Sequence, residues 1–185
     1  MKLTLSTRAG KKKSELTKLR SCKDIPAVIY VTGSPSELVT VKGVEFEAIL
    51  RGMPKGYLPT AIFELELDGK KIKAIVKDIQ YNPTTYQVVH LDFLTLKDDT
   101  LVDINVPIHC LGEADCIGIK LGGFLRYVKR HIKVRCLPKN IPSDFKVDIR
   151  NLGITQYKRV KDIAIGNEIR PLIGENDVIV VIAKR

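Results

Sequence analysis

The alternation between residues 63 and 76 restricts the fold more than any other stretch of this chain. Phe63-Glu64-Leu65-Glu66-Leu67 and Ile72-Lys73-Ala74-Ile75-Val76 lie on either side of Asp68-Gly69-Lys70-Lys71. Successive strand residues point to opposite faces, so two such runs around an Asp-Gly turn specify a hairpin with one buried face and one charged face. A lone hairpin is barely stable in water, so this one needs further strands.

The neighbouring sequence supplies them. Lys2 to Thr7 alternates Leu3 and Leu5 with Thr4 and Ser6, Ile25 to Val31 is an apolar run, and Leu38 to Lys42 is a short one. Gln87 to Leu96 predicts a strand with His90 and Asp92 on one face and Leu91 and Phe93 on the other. Thr32-Gly33-Ser34-Pro35-Ser36 and Tyr81-Asn82-Pro83-Thr84-Thr85 are turns by their chemistry. Two short helices are predicted between the strands. One runs from Ser14 to Arg20, with Ser14 as its cap and Leu16 and Leu19 facing the body. The other spans Gly43 to Gly52, with Val44, Phe46, Ala48, Ile49 and Leu50 at helical spacings, acidic early and basic late.

The charged turn Lys97-Asp98-Asp99 separates two apolar-rich halves and predicts domains 1–97 and 98–185. Leu101 to Leu111 alternates but contains Pro107, which predicts an edge or bulged strand. Gly123 to Leu137, Phe145 to Ile149 and Val178 to Ala183 complete a mainly β second half. The fold class is mainly β (α+β).

With 185 residues, 44% of them apolar, the chain can bury a core. It contains no apolar run of 18 residues, and its start, MKLTLSTRAGKKK, lacks the apolar region of a secretory signal, so a cytosolic protein without a membrane partner is expected. Cys22, Cys110, Cys116 and Cys136 form no CxxC pair and have no histidine at ligand spacing. They are expected as buried or half-buried thiols, with no metal site. Nucleotide-binding, nucleophile-elbow and zinc-protease motifs are absent, and His90, His109 and His131 are scattered. The glycines of Gly118-Ile119-Lys120-Leu121-Gly122-Gly123 are expected to form a turn, not a phosphate loop. No enzyme, cofactor or small-molecule substrate is expected.

The net charge of +10 calls for an acidic partner, and it is concentrated at the start. Between Met1 and Lys23 eight Lys or Arg face one acid, Glu15. Cations in a row suit a polyanion, because each one set on a phosphate releases a counterion. A solvated tail has the same composition. The run from Arg8 to Lys23, however, leads without a linker into Ile25-Pro26-Ala27-Val28-Ile29-Tyr30, which has the character of a core strand. A second basic stretch, Lys120 to Arg135, holds six cations and no acid; it is either a second RNA contact or a solvated face. His90 and Asp92 either present an imidazole and a carboxylate to a nucleic-acid groove or pair on a polar outer face. Tyr30 either packs in the core or stacks on RNA.

Several separated motifs then agree. Arg8, Lys18-Leu19-Arg20, Ile25-Pro26-Ala27-Val28-Ile29-Tyr30, Lys77-Asp78-Ile79-Gln80, Pro83 and Val89-His90-Leu91-Asp92-Phe93 closely resemble the bacterial large-subunit ribosomal protein that binds 5S ribosomal RNA. Val106-Pro107-Ile108-His109, Gly112-Glu113-Ala114, Gly122-Gly123, Cys136-Leu137-Pro138-Lys139-Asn140-Ile141-Pro142 and Val147-Asp148-Ile149 extend the resemblance to the longer, two-domain type known as general stress protein Ctc. The resemblance implies an N-terminal β-barrel with short helices that binds 5S rRNA at its internal-loop E region in the large ribosomal subunit, and an appended C-terminal β-rich domain. Neighbouring ribosomal proteins are a candidate partner for that second domain, which the sequence alone does not assign. Carried over by motif, RNA contacts are expected from Arg8, Lys18, Arg20, Tyr30, Lys77, His90 and Asp92. Lys11 and Lys13 are added as phosphate contacts within the basic run. Val31 stands where the family has glycine after the tyrosine, and Gly10-Lys11-Lys12-Lys13 displaces the Gly-Lys of its basic loop. The alternative function is a stress-linked factor whose C-terminal domain binds a protein partner.

Overall fold

The period-two segments of the first hundred residues become strands in the computed structural model, which describes residues 1–8, 10, 12–31, 33, 35–67 and 69–184. The chain divides into two compact units, Met1–Thr100 and Leu101–Arg185.

In the first unit β1 (Lys2–Thr7), β2 (Asp24–Tyr30), β3 (Glu37–Lys42), β4 (Ile62–Leu67), β5 (Lys70–Tyr81) and β6 (Val88–Thr95) form a closed barrel in the order β1-β3-β2-β6-β5-β4. Closure comes from the parallel pairing of β1 with β4, in which Leu3 meets Leu65 and Leu5 meets Leu67. A closed barrel leaves no edge to attract another chain. Its interior is filled by Leu3, Leu5, Ala27, Ile29, Val39, Val41, Phe63, Leu65, Leu91 and Phe93, all buried. Phe63 meets Phe93 edge-on with ring centroids 6.2 Å apart, and Phe46 from outside the sheet lies 6.4 Å from Phe63.

The hairpin is tighter than its sequence suggests. Leu67 pairs with Lys70 and Glu66 with Lys71, so Lys70 and Lys71 belong to β5 and not to the turn. Glu66–Lys71 and Glu64–Lys73 are opposite charges on facing strands, which favours the longer ladder. Gly69 has φ +78°, a conformation that glycine adopts without steric cost. The predicted turn residue Asp68, and Thr32 and Ser34 of the predicted loop, lie outside the described residues.

Helix α1 (Lys13–Ser21) starts one residue earlier than predicted. Lys12 is its N-cap, no side chain caps it, and Ser14 lies inside the first turn. Leu16 and Leu19 are both half-buried, as expected for an apolar pair at that spacing. Cys22, expected at least half-buried, is exposed at the C-cap. Helix α2 (Gly43–Gly52) has the predicted bounds, but Val44 faces solvent and Phe46 carries the packing, with Ile49 and Leu50 partly buried. Gly43 is needed where it stands, since a Cβ there would collide with the main-chain oxygen of Lys23.

The second unit is mainly β. Strands β7 (Val102–Leu111), β9 (His131–Cys136), β10 (Phe145–Asp148) and β12 (Arg170–Pro171) form a sheet in the order β10-β7-β9-β12. A second sheet has the order β11-β13-β8, from β8 (Phe124–Tyr127), β11 (Tyr157–Arg159) and β13 (Val178–Ala183). A short helix, α3 (Ile117–Lys120), takes the first three residues of the stretch expected as a turn, and Leu121 and Gly122 turn after it. The predicted run Gly123 to Leu137 is thus two strands in different sheets, broken at 128–130.

Pro107 does not put β7 at an edge. The strand has neighbours on both sides, but along different residues: Val102 to Pro107 pair with β9, and Ile108 to Leu111 pair with β10. The Ile108 N–H donates to Arg130 on the β9 side. Main-chain groups alternate along a strand, so the nitrogen of Pro107 faces the other side, just before β10 joins. A residue without an N–H costs the ladder nothing there.

Candidate nucleic-acid interface

Parallel pairing of β2 with β6, and antiparallel pairing of β6 with β5, bring three stretches distant in sequence into one outward ribbon. Val28, Asp92 and Asp78 lie in one cross-strand row, and Gln80 faces His90 in the next. The inward positions between them, Leu91 and Phe93, are fully buried, so the alternation fixes which side chains face out.

A β-bulge shapes this ribbon. Val76 pairs with Phe93 and Asp78 with Asp92, which leaves Lys77 as an extra residue in β5. Regular pleating would turn Asp78 inward; with the bulge, Lys77 and Asp78 are both exposed, and the inward face resumes at Ile79 opposite Leu91. Lys77 therefore sits within the strand and not after the hairpin. Asp78 is a ribbon residue missed by the motif reading. Its signal was the spacing of Val76 and Ile79, three apart in a period-two strand.

His90 Nδ1 lies 2.8 Å from Asp92 Oδ1. The Nδ1–H donates to the carboxylate, which holds the ring in place and leaves Nε2 available to a ligand. Tyr30 is half-buried at the end of β2. Burial first, then the negative charges of Asp92 and Asp78, raise its hydroxyl above the usual tyrosine range. The phenol therefore stays a neutral donor beside two carboxylates.

The basic stretch borders the same ribbon. Arg20, near the end of α1, donates from Nη2 to the Val89 carbonyl at 3.4 Å, one residue from His90. Arg8 donates from Nε to Val39 O at 3.2 Å and from Nη1 to Gly10 O at 3.0 Å. Burial and the nearby Arg20 lower its pKa. Arg8 is thus partly committed to the barrel wall. Lys13 opens α1 and Lys18 lies in its last turn, both exposed. Lys11 lies outside the described residues. A groove of about 250 Å³ adjoins the ribbon, lined by Arg20 and Lys23, by the acids Asp24 and Glu47, and by Asn82 and Gln87.

Among the described residues no carboxylate lies within 4 Å of any cation from Lys2 to Lys23. The second basic stretch differs. Lys120 pairs with Asp115 at 3.4 Å, Lys129 with Asp177 at 2.5 Å, and Asp103 takes Lys133 at 4.0 Å and both forks of Arg135 at 2.6 and 2.9 Å. Among the described residues no cluster of three or more His, Cys, Asp or Glu is placed to hold a metal ion.

Comparison with known proteins matches the chain in two stretches. Residues 3–93 match the ribosomal L25p family, and residues 101–185 match the C-terminal domain of ribosomal protein TL5. The large ribosomal subunit protein bL25 of Chlamydia caviae is 42% identical over 185 residues, the whole of both chains. Those of Chlamydia trachomatis serovar L2 and Chlamydia pneumoniae are 42% and 40% identical, again over the full length of each. This chain belongs to the ribosomal L25p family, in the form that carries a TL5-type C-terminal domain.

Proposed function

We propose that this chain is a structural, non-catalytic protein of the bacterial large ribosomal subunit that binds 5S rRNA and works in the cytoplasm, where ribosomes do. The full-length likeness to large-subunit proteins carries this conclusion. We assign RNA binding to the barrel, residues 1–97, and contacts with neighbouring ribosomal proteins to residues 98–185.

The contact residues divide by chemistry. Arg8, Lys11, Lys13, Lys18, Arg20 and Lys77 supply phosphate contacts, which position the RNA without reading it. Tyr30, His90 and Asp92, joined by Asp78, read the groove. Carboxylates accept from 2′-hydroxyls and base amino groups, the Tyr30 hydroxyl donates, and His90 Nε2 faces the ligand. Two acids on an RNA-facing surface repel phosphate, so this part of the ribbon suits a minor groove, where hydroxyls and base edges are displayed.

The test is binding to 5S rRNA and to an unrelated structured RNA of similar size across a salt series. Tighter binding to 5S rRNA at every salt concentration is expected, with affinity for both falling as salt rises. Equal affinity for the two RNAs would remove specific recognition, and a flat salt response would remove the phosphate contacts.

A further inference from the structure

The outward face of the β11-β13-β8 sheet sets exposed apolar side chains around Arg126, where a solvated face is ordinarily polar throughout. Register sets Tyr157, Val181 and Arg126 in one cross-strand row and places Ala183 opposite Phe124 in the next. Along β8 the side chains alternate, with Phe124 and Arg126 exposed and Leu125 and Tyr127 half-buried, and Val128 just beyond is exposed again. Phe124 is 48%, Val128 52% and Tyr157 45% exposed. Exposed apolar side chains grouped in this way mark a contact site.

Strand β8 is also an open edge. On β13, Ile182 exchanges hydrogen bonds with the β11 side, accepting from Thr155 N–H at 2.8 Å and donating to Gln156 O at 2.9 Å. Val181 and Ala183 therefore turn theirs toward Arg126 and Phe124. The main-chain groups of Leu125 and Tyr127 point the other way, along an edge with no strand partner among the described residues. An unpaired edge beside apolar side chains is the geometry that accepts an added strand.

Charge selects the occupant. Among the described residues Arg126 has no carboxylate partner, unlike Lys120, Lys129, Lys133 and Arg135 of the same stretch. Arg159 lies over the Tyr157 ring, 5.1 Å from its centroid, and donates to the Tyr157 hydroxyl at 2.9 Å, so one face of that ring is taken. Val128 and Val181 offer a nucleobase no surface to stack on, Phe124 offers one ring, and the unpaired N–H and C=O groups of Leu125 and Tyr127 match the spacing of a polypeptide backbone. An extended polypeptide fits this face better than an RNA strand.

We propose that this face docks an extended segment of another large-subunit protein. The segment adds as a strand to β8, lays apolar side chains beside Phe124 and Val128, and sets an Asp or Glu against Arg126. The proposal rests on the ribosomal reading above and goes beyond it in naming the surface and the partner's chemistry.

The test places a photo-crosslinker in the full-length chain, Val128→p-benzoylphenylalanine, assembled into large subunits that lack their own copy. Irradiated subunits are isolated by sedimentation, and the crosslinked peptide is identified by mass spectrometry. The expected product joins residue 128 to one ribosomal protein, within a segment of alternating apolar residues that includes an acid. Adding Arg126→Glu lowers its yield about tenfold, as a like charge across an interface does, while co-sedimentation is unchanged. Crosslinks to ribosomal RNA or to a second copy overturn the proposal, as does a co-sedimenting chain with no crosslink; each leaves the ribosomal reading standing. A chain that fails to co-sediment removes that reading and the proposal together.

Discussion

The two basic stretches of this chain look alike as text and differ as surfaces. From Lys2 to Lys23, and again from Lys120 to Arg135, cations dominate and acids are scarce. Among the described residues the first group meets no carboxylate, while four of the six cations in the second are held by Asp103, Asp115 and Asp177. A paired cation is partly neutralised and gains less from a phosphate; an unpaired one brings its full counterion release. Local charge density therefore identifies a basic surface only after its long-range partners are counted.

The strongest way to break this comparison is to remove each group in turn. Replacing Arg8, Lys13, Lys18 and Arg20 with Ala deletes four of the cations proposed to contact phosphate. Affinity for 5S rRNA at physiological salt is expected to fall on the order of 100-fold, and the salt slope to flatten by roughly 0.7 to 0.9 for each phosphate left without its cation. Replacing Lys120, Lys129, Lys133 and Arg135 with Ala is expected to leave both quantities within about twofold. Filter binding at several salt concentrations measures both sets, and equal weakening would end the distinction.

A smaller effect, with a different signature, is expected on the ribbon. His90→Ala and Asp92→Asn should each cost about 1–3 kcal/mol in 5S rRNA binding with the salt slope unchanged, because these side chains are proposed to read shape and polar groups and not phosphate. They should also leave binding to an unrelated RNA unaffected. If either variant weakens both RNAs equally, the ribbon belongs with the phosphate contacts after all.

How much of this was legible in the chain depends on how local each cause is. The hairpin, β1, β13 and α2 follow from period and turn chemistry within a dozen residues. His90 and Asp92 share a face for the same reason. Barrel closure leaves no such trace, since the parallel partners Leu3 and Leu65 are joined only by the assembled sheet. Ser14 as a cap failed because the N–H groups of Glu15 and Leu16 both bond to the Lys12 carbonyl, which starts the helix earlier. Asp78 was hidden by a bulge that shifts the pleat by one residue. Two of the three acids that pair the second basic stretch are likewise remote: Asp103 lies on the neighbouring strand β7, and Asp177 precedes β13, whereas Asp115 is only five residues from Lys120.

That remoteness suggests a reversal of the comparison. Asp103 opposes Arg135 on the β7–β9 ladder and takes its fork with two hydrogen bonds, which raise the Arg135 pKa. Asp103→Ala releases Arg135 and Lys133 together and makes the second stretch resemble the first. Retention on an unrelated RNA at low salt should rise roughly two- to fivefold, and the gain should vanish in high salt. Binding that stays at its original level would mean that pairing is not what silences this surface.

The two regions also differ in where their tyrosines direct a hydroxyl, and this gives the smallest effect. Tyr30 turns toward the carboxylates of an open ribbon, whereas Tyr127 is satisfied inside its own unit. Burial, then the hydrogen bond its hydroxyl donates to Cys110 Sγ, push Tyr127 up to about 12 from the ordinary value of 10.0. The folded chain therefore keeps this proton through a pH range in which the unfolded chain has given it up. Proton binding is greater in the folded state, so stability must fall as pH rises through that interval. Below about pH 10 both states hold the proton, and the group adds no pH dependence. Tyr127→Phe removes the titration, so its melting temperature should fall less steeply than that of the unaltered chain between about pH 10 and 12. Because the hydroxyl serves only its own unit, the same variant should bind 5S rRNA unchanged at neutral pH, whereas Tyr30→Phe should bind it more weakly. Weaker RNA binding by Tyr127→Phe would show that the second region is not as self-contained as its ion pairs and hydrogen bonds make it.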